Sequence, residues 1–411
     1  MESVNRFILI LFSILVVFNV SRLLIGLTLA NWHQLRHLNR QRRKLPRSLP
    51  TMSVIIPAYN EEKYIQRAVK SVLRQTGVQF EVIVVDDGST DHTGILLDKM
   101  GQRYPQLVVL HQNNQGKSRA INHGLAKATG ELVMVLDADS YLGEQALMTM
   151  SQHFVDPQVI GMSANVRITR PLNWIEWVQK IEYLLGYRLK GSEESLGLEY
   201  IIGGVGSTFR RQAMQKVGGY DTDSVTEDID FTLKLITAFG NRGWRFGYAN
   251  DVMAYTPPVQ TFIELIRQRL RWKYGRFKAL VKYRQLIFST TGQYTKTLSW
   301  WKLPKVYGEE LMMLLEPVLI LWIIGIAIAY LDPTTIISIL VLYTVFALAT
   351  FIPEDLSPFE RLQLLLVAPL TYFILYVINV VDWICLIRCL RKWRAIVRNQ
   401  DQTARWEHVQ R

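Results

Sequence analysis

Apolar residues are distributed unevenly along this chain, and their distribution limits what it can fold into. They concentrate in residues 7–30 and again after about residue 310, whereas residues 50–260 have the composition of a soluble domain. An apolar stretch of about 20 residues is long enough to span a bilayer as a helix. The sequence therefore predicts a soluble domain with membrane segments at both ends.

The formal net charge is +12, and the basic residues lie beside the apolar segments, at 36–47 and 388–398. Lys and Arg next to apolar spans mark the cytoplasmic side of a membrane. This placement favours contact with membrane lipid, excludes nucleic acid as the expected partner, and puts the central domain in the cytosol. The two cysteines, Cys385 and Cys389, have neither a disulfide framework nor a metal-ligand spacing.

We predict five segments, which together describe a multi-pass protein of the plasma membrane. They are a membrane anchor with a basic juxtamembrane segment (1–48), a cytosolic catalytic domain (49–260), amphipathic interface helices (261–308), a transmembrane region (309–390) and a basic cytosolic tail (391–411). The transmembrane region contains apolar segments at 311–331, 334–352 and 362–388. The interface helices combine Trp, Tyr, Lys and Arg, which is typical of helices at a membrane surface.

From Met52 onward, short Val- and Ile-rich runs alternate with amphipathic stretches. The runs SVIIPAY, FEVIVVD, LVVLHQ and ELVMVLD read as strands and the stretches between them as helices. This order predicts an α/β fold with a parallel sheet covered by helices on both faces. Ligands of such sheets bind at the carboxyl ends of the strands. The polar residues expected at those ends are Asn60, Glu61, Asp86, Asp87, Asp137 and Asp139.

Asp137 and Asp139 follow an apolar strand and are two residues apart. Two carboxylates so placed can share one hard cation, Mg²⁺ or Mn²⁺, and face a pyrophosphate. A transferase that releases a nucleoside diphosphate needs such a cation, because the cation neutralises the charge that develops on the leaving group. The D-x-D pattern also occurs by chance in loops, so this motif alone does not decide the function.

The run VVDDGSTD, residues 84–91, joins a strand, an acidic pair, a glycine turn and a cluster of Ser, Thr and Asp. Asp86 and Asp87 can accept hydrogen bonds from a nucleobase N–H or a ribose hydroxyl. Ser89 and Thr90 can instead cap the next helix. Capping does not explain the acidic pair.

Two further motifs supply a candidate base and a candidate phosphate- and sugar-binding group. Asp228, in TEDID, follows a glycine-rich segment and can take the proton from an acceptor hydroxyl. The acids of this motif can equally stabilise a helix N-terminus. In QRLRW, Arg271 can bind phosphate oxygens and Trp272 can stack on a sugar. The same helix can also lie on a membrane surface.

The motifs PAYNEE, VDDGSTD, DAD, and TED with QRLRW occur in this order between Pro57 and Trp272. Together they resemble the processive family-2 glycosyltransferases, which include synthases of poly-β-1,6-N-acetylglucosamine, cellulose, hyaluronan and chitin. The Glu of TED makes the sequence most similar to the poly-β-1,6-N-acetylglucosamine synthases. The tail after Arg391 is too short for the C-terminal domain of bacterial cellulose synthases. The sequence differs from the poly-N-acetylglucosamine synthases in showing one N-terminal span where they have two.

The resemblance implies a GT-A fold and a hexosyltransferase that inverts the anomeric centre of a UDP-sugar, with UDP-N-acetylglucosamine the favoured donor. It implies addition to the end of a growing β-linked polysaccharide, export through the membrane helices, and Mg²⁺ or Mn²⁺ as cofactor. The acceptor would be a saccharide or a glycolipid, and a small membrane partner subunit is compatible with this activity. Two alternatives stay open: a non-processive enzyme that adds one or a few sugars to a membrane glycolipid, and a hyaluronan- or cellulose-type synthase.

The resemblance also implies a role for each matching residue. The nucleotide-sugar would be bound by Tyr59, Glu61, Asp86, Asp87, Lys117 and Asp137. Asp139 would hold the metal, and Asp228 would be the catalytic base with Glu227 beside it. Gln268, Arg271 and Trp272 would close over the diphosphate and the acceptor.

Overall fold

A computed structural model describes residues 21, 24–32, 48–330, 334–351 and 356–398 of the chain. The predicted N-terminal anchor and the predicted C-terminal tail lie mostly outside the described residues. Of the anchor, the structure describes mainly a helical stretch at 24–32. The rest of the described chain forms an α/β domain and the helices that follow it.

The domain is built on one sheet. Its strands are β1 (Met52–Ala58), β2 (Phe80–Asp86), β3 (Leu107–His111), β4 (Leu132–Val135), β5 (Tyr141–Leu142), β6 (Val159–Ile168), β7 (Ser207–Arg210) and β8 (Arg245–Thr256). The helices up to the interface region are α1 (Ile65–Leu73), α2 (Thr93–Arg103), α3 (Lys117–Lys127), α4 (Ala146–His153), α5 (Trp174–Ser195), α6 (Arg211–Lys216), α7 (Glu227–Phe239) and α8 (Phe262–Lys282). A 3-10 turn (Arg284–Leu286) and a π-helix (Thr297–Lys302) lead to α9 (Leu303–Tyr330), α10 (Thr334–Phe351), α11 (Pro358–Val367), a 3-10 turn (Ala368–Leu370), α12 (Thr371–Arg391) and α13 (Trp393–Arg398).

The sheet is mixed, with the strand order β3-β2-β1-β4-β7-β6-β8-β5. Strands β1 to β4 are parallel, as the sequence predicts. Strand β7 is antiparallel to both β4 and β6, and β5 is antiparallel to β8, so the expectation of a fully parallel sheet is wrong. Both exceptions are strands of four residues or fewer. Their direction depends on pairing with distant strands rather than on a local pattern.

The strands are buried on both faces, which explains their continuous apolar runs. In β1, Val54 and Ile56 join one core with α1, α2 and α4, whereas Ile55 joins the opposite core with α3 and α7. The same alternation holds in β2 and β4. Side chains within these strands therefore pack in one of the two cores, and the polar residues of the motifs lie at the strand ends.

Helices α5 and α8 connect this domain to the C-terminal helices. The Lys180 ammonium of α5 contacts the Glu360 carboxylate near the start of α11 at 2.8 Å. Helix α8 begins with a capping box in which Thr261 and Glu264 bond each other's backbone N–H groups. Its Leu265 packs with apolar residues of α5 and α12. The helix that carries QRLRW is thus held between the α/β domain and α12.

Among the described residues, Phe373–Arg391 is the one segment long and apolar enough to cross a membrane. The apolar segment predicted at 362–388 is not one continuous helix, because α11 ends at Val367 and a 3-10 turn precedes α12. Pro369 lies in that turn and has no backbone N–H to continue a helix. Spans at both ends of the chain are therefore not confirmed.

Gly275 of α8 is a point of close contact with the start of α7. A Cβ at this position would lie 2.3 Å from Thr226 Oγ1 and 2.5 Å from Thr226 Cγ2. Thr226 is buried, and its branched side chain has few rotamers to move into. We expect Gly275→Ala to displace the start of α7 and to lower the free energy of unfolding by about 1–3 kcal/mol.

Thermal or denaturant unfolding of the purified protein measures this change. Gly186→Ala on α5 is the matched control, because no atom of the described residues lies within 4 Å of the Cβ that it would add. Adding Thr226→Ala to the Gly275 variant should recover part of the loss by removing two of the clashing atoms. Equal stability of the Gly275 and Gly186 variants would show that the contact is unimportant.

Candidate active site

Asp87 lies directly after β2 and is 1% exposed. Its carboxylate accepts hydrogen bonds from Gln112 Nε2 and from the backbone N–H groups of Gln115 and Gly116, each at 2.8 Å. These bonds hold the loop after β3 against the end of β2, so that α3 begins beside the sheet edge. The structure therefore gives Asp87 a positioning role, and its contact with the nucleotide stays a prediction.

Asp86 is also buried and partnered. Its carboxylate accepts a hydrogen bond from the Ser89 N–H at 3.0 Å and contacts His111 Nδ1 at 2.9 Å, while His111 Nε2 lies 3.0 Å from Asp98. Burial by itself would lower the pKa of His111, but the hydrogen bonds to Asp86 and Asp98 outweigh it and raise the pKa. A protonated His111 would fix the Asp86 carboxylate at the strand end.

Tyr59 and Glu61 follow β1 and are half-buried. The Glu61 N–H donates to Thr93 Oγ1 at 2.8 Å. Between them, Asn60 has a left-handed φ of +55°, and its side-chain oxygen accepts from the Thr90 N–H at 2.8 Å. These bonds join the loops after β1 and β2, and so place Tyr59 and Glu61 beside the acidic pair.

Lys117, the first residue of α3, brings two other motifs together. Its ammonium is 2.7 Å from Asp137 Oδ1, after β4, and also contacts Glu227 Oε1, at the start of α7. Burial alone would lower the pKa of Lys117, but the charges of Asp137 and Glu227 outweigh it and raise the pKa above its usual value. The lysine therefore remains a cation at neutral pH.

Asp228 is next to this ion-pair cluster and is held by backbone donors. Its two carboxylate oxygens accept from the Gly204 N–H at 3.0 Å and the Ile229 N–H at 2.9 Å. A Cβ on Gly204 would lie 3.6 Å from Lys117 Nζ and 3.7 Å from Asp228 Oδ2, so the glycine lies directly against both groups. Burial, together with the charge of Glu227, raises the pKa of Asp228 to about 6. A carboxylate with that pKa is suited to general-base work near neutral pH.

The charges of this cluster favour a divalent cation. Lys117 supplies one positive charge and Asp137, Glu227 and Asp228 supply three negative charges, which leaves −2 when all are ionised. Within the described ranges, no three His, Cys, Asp or Glu side chains form a metal cage. Mg²⁺, however, commonly binds through one or two carboxylates together with substrate phosphates. Asp139, half-buried and bonded to Ser140 Oγ at 2.8 Å, fits that arrangement as an oxygen ligand.

The QRLRW motif divides into a structural part and a part available to a ligand. Arg269 forms a two-pronged ion pair with Glu182 of α5, at 2.7 and 2.5 Å, and its guanidinium lies 4.5 Å from the centroid of a Trp272 ring. Gln268 Oε1 and Arg271 Nε are buried atoms with no hydrogen-bond partner in the described part of the chain, and so is Arg269 Nε. Such atoms are ready to bind a polar ligand.

Tyr187 of α5 lies beside the candidate site, and the motifs do not reveal it. Its hydroxyl would be 3.9 Å from a Cβ on Gly203, and its ring lies between those of Tyr183 and Tyr248, at 5.9 and 5.8 Å. Burial, with smaller contributions from Tyr183 and Asp228, raises the pKa of Tyr187 well above its usual value, so the phenol stays neutral. The spacing of Tyr183 and Tyr187, one helical turn apart in an amphipathic stretch, is the sequence signal that could have indicated this face.

Residues 53–218 match the family described as glycosyl transferase family 2. This part of the chain is similar to the family 2 glycosyltransferases. The match supports the family predicted from the four ordered motifs, and the matched region includes Lys117 and Asp137. The base candidate and QRLRW follow it in the chain.

Two curated relatives extend the likeness beyond the matched domain. The chain is 32% identical over 237 residues to a poly-β-1,6-N-acetyl-D-glucosamine synthase of Staphylococcus aureus, covering 57% of this chain and 56% of that protein. It is 30% identical over 234 residues to the enzyme of the same name from Staphylococcus epidermidis, covering 56% of each. The chain thus matches about half the length of these curated relatives.

A solved structure shows the same fold. It is a mannosyltransferase from Pyrobaculum calidifontis in complex with GDP-Man and Mn²⁺, with a TM-score of 0.56 and 20% sequence identity. The likeness covers 92% of this chain and 99% of that one. With the mixed sheet, it confirms a GT-A-like α/β fold.

Proposed function

We propose that this protein is an inverting hexosyltransferase that moves N-acetylglucosamine from UDP-N-acetylglucosamine to the end of a growing β-linked polysaccharide. The observation that carries the proposal is the meeting of Lys117, Asp137, Glu227 and Asp228 against the Gly204 backbone. Asp228, the proposed base, has a raised pKa and lies beside a cation and the D-x-D motif, which supports the proposal. The names of the two staphylococcal relatives support N-acetylglucosamine as the sugar.

In this mechanism Asp228 removes the proton of the acceptor hydroxyl as the oxygen attacks the anomeric carbon. The bond to the UDP oxygen breaks on the opposite face, so an α-linked donor gives a β-linked product. The Gly204 and Ile229 N–H groups orient the Asp228 carboxylate for this step. Lys117 keeps Asp137 and Glu227 in place, which limits repulsion among the three acids.

The diphosphate would be held from two sides. Arg271 and Gln268, with their unpartnered buried atoms, would bind its oxygens, and Trp272 would stack on the acceptor sugar. Asp139, with Asp137 nearby, would hold a Mg²⁺ or Mn²⁺ that neutralises charge on the leaving diphosphate.

We further propose that the protein resides in the plasma membrane with the glycosyltransferase domain in the cytosol, and that the polymer is exported. The apolar helix α12, which packs along α5 and α8, and the basic residues 388–398 support this location. A small membrane partner subunit is compatible with it.

The decisive experiment is a turnover screen of the purified, membrane-reconstituted protein with labelled UDP-sugars, followed by product-length and linkage analysis. We expect turnover of UDP-N-acetylglucosamine and a β-linked polymer. Short glycolipids alone would replace the polymerase proposal with a non-processive one. Turnover of UDP-glucose or UDP-glucuronate in its place would replace the donor.

Asp139→Ala tests the metal. Calorimetry of UDP binding with and without Mn²⁺ should show metal-enhanced affinity in the wild-type protein and a loss of that enhancement, roughly 10–100-fold, in the variant. Glu144→Ala, an exposed acid five residues further along, is the control and should keep the enhancement. If the wild-type protein binds UDP equally well without metal, the metal proposal fails.

The pKa of Asp228 predicts the acid limb of the pH–rate profile. Because the base must be ionised, kcat/KM should rise as pH increases and level off above about 6. The sign for stability is opposite: a carboxyl whose pKa is raised in the folded state stabilises the fold when protonated, and that contribution is lost as pH rises through about 6. An acid limb with an apparent pKa near the usual value for aspartate would contradict the assignment of Asp228 as the base.

A further inference from the structure

Residues 283–308, which comprise the connection from α8 to α9 and the first residues of α9, have features that the transfer reaction does not use. This stretch contains no Asp or Glu, but it contains four basic residues, Arg284, Lys296, Lys302 and Lys305. It also presents three large aromatic side chains to the outside. Phe288, Trp300 and Trp301 are 55%, 50% and 57% exposed. We call these three residues the aromatic knuckle.

The knuckle is held in a fixed shape although it is exposed. The Phe288 and Trp300 rings meet edge to face, with centroids 5.2 Å apart. Trp300 Nε1 donates to the Ser289 carbonyl at 3.0 Å, and the Phe288 N–H donates to the Ser299 carbonyl at 3.0 Å. These contacts hold the exposed rings in one fixed arrangement. A preformed surface of this kind is suited to binding a partner.

The backbone of the knuckle is unusual at two points. Phe288 has a left-handed φ of +53°, which is costly for a bulky side chain. Residues Thr297–Lys302 form a π-helix, a rare conformation that is frequent at functional sites. The π-helix leaves both indoles outside while Leu298, Ser299 and Lys302 are buried. Strained backbone conformations cluster at functional sites.

The charges around the knuckle are suited to an anionic surface. Lys302 is buried against Glu193, and Lys305 pairs with Glu309 at 3.2 Å. Arg284 and Lys296 remain exposed. The described structure thus flanks the knuckle with two exposed cations in a stretch that has no acidic residue.

We propose that the aromatic knuckle docks on a lipid surface, with its rings in the headgroup layer and with Arg284 and Lys296 on anionic lipid phosphates. Aromatic rings beside basic residues are typical of the membrane–water interface. The apolar helix α9 begins at Leu303, directly after the π-helix, which continues the surface into the expected membrane region. This inference rests on the proposed membrane location; it narrows the predicted interface segment 261–308 to the aromatic knuckle and adds the lipid class.

Site-directed spin labelling of the full chain in nanodiscs tests the docking. Labels at Trp301→Cys and Thr290→Cys, in a background where the buried Cys385 and Cys389 are Ser, report contact with oxygen or with an aqueous nickel chelate. Thr290 is exposed in the same loop, so its label leaves every aromatic residue in place. A label at Ile95→Cys, exposed on α2, is the aqueous control, and one at Phe373→Cys, exposed on α12, reports the membrane itself.

We expect the ratio of oxygen contact to nickel-chelate contact to be several-fold higher for the labels at 301 and 290 than for the label at 95. If they match position 95 while position 373 lies in lipid, the docking is overturned and the membrane location stands. If position 373 is also aqueous, the membrane location falls as well. Arg284→Gln with Lys296→Gln should reduce the lipid contact of position 301 only in nanodiscs that contain phosphatidylglycerol. If the double variant has the same effect in nanodiscs of phosphatidylcholine alone, the anionic-lipid part of the proposal is overturned.

Discussion

Asp228→Asn is expected to lower kcat by about 10²–10⁴-fold while UDP affinity stays near that of the wild-type protein. The amide keeps the shape of the side chain and can still accept the Gly204 N–H, but it cannot take a proton from the acceptor. Single-turnover assays together with calorimetry of UDP binding separate the two effects. A selective loss of kcat identifies the base, because a residue that merely held the fold would alter affinity as well.

Asp223→Asn is the matched control for this substitution. Asp223 is an exposed acid in the loop just before α7, so the same chemical change there should leave turnover unchanged. The Asp228 variant should also unfold at a higher temperature than the wild-type protein above pH 6, because the neutral amide has no buried charge. Retained turnover in the Asp228 variant would remove this residue from the base role.

Lys282→Met is expected to lower the free energy of unfolding by about 3 kcal/mol, because it leaves a buried carboxylate without its cation. Lys282 Nζ lies 2.9 and 3.1 Å from the two oxygens of Asp230, which is 3% exposed, and 2.5 Å from Asp221. The loss falls at the lower end of the range for broken buried pairs, because the Lys282 side chain is itself 34% exposed. Denaturant unfolding measures it.

Lys278→Met on the same helix is the control. Lys278 donates to the Asp223 carbonyl at an exposed position, so its loss should cost less than about 1 kcal/mol. The double variant Lys282→Met with Asp230→Asn should recover part of the stability, because the buried group is then neutral. If the double variant is no more stable than the single one, the loss does not come from the unpaired carboxylate.

The structure gives Asp230 a different place from its neighbours in the TEDID motif. Glu227 and Asp228 face Lys117 and Gly204, whereas Asp230 bonds Lys282 on the far end of α8. Spacing along the helix separates these side chains, but spacing does not say which faces the ligand. That choice depends on α3, the 203–204 loop and α8, which come from distant parts of the chain.

The two arginines of QRLRW show the same limit. The sequence offers Arg269 and Arg271 as equivalent guanidinium groups, and the resemblance selects Arg271. In the structure Arg269 pairs with Glu182 and packs on Trp272, and the role of Arg271 stays a prediction. Glu182 is unremarkable in the sequence, because its role depends on α5 lying against α8.

The sequence by itself determined the alternation of buried strands with helices, the acidic residues at the strand ends and the order of the motifs. These follow from local periodicity and from covalent spacing, which the chain carries in any conformation. The tertiary structure decided the direction of β5 and β7, the use of Asp87 as a loop anchor, and the meeting of Lys117 with Asp137 and Glu227. Those contacts join residues far apart in the chain, and their geometry exists only once the strands and helices have packed.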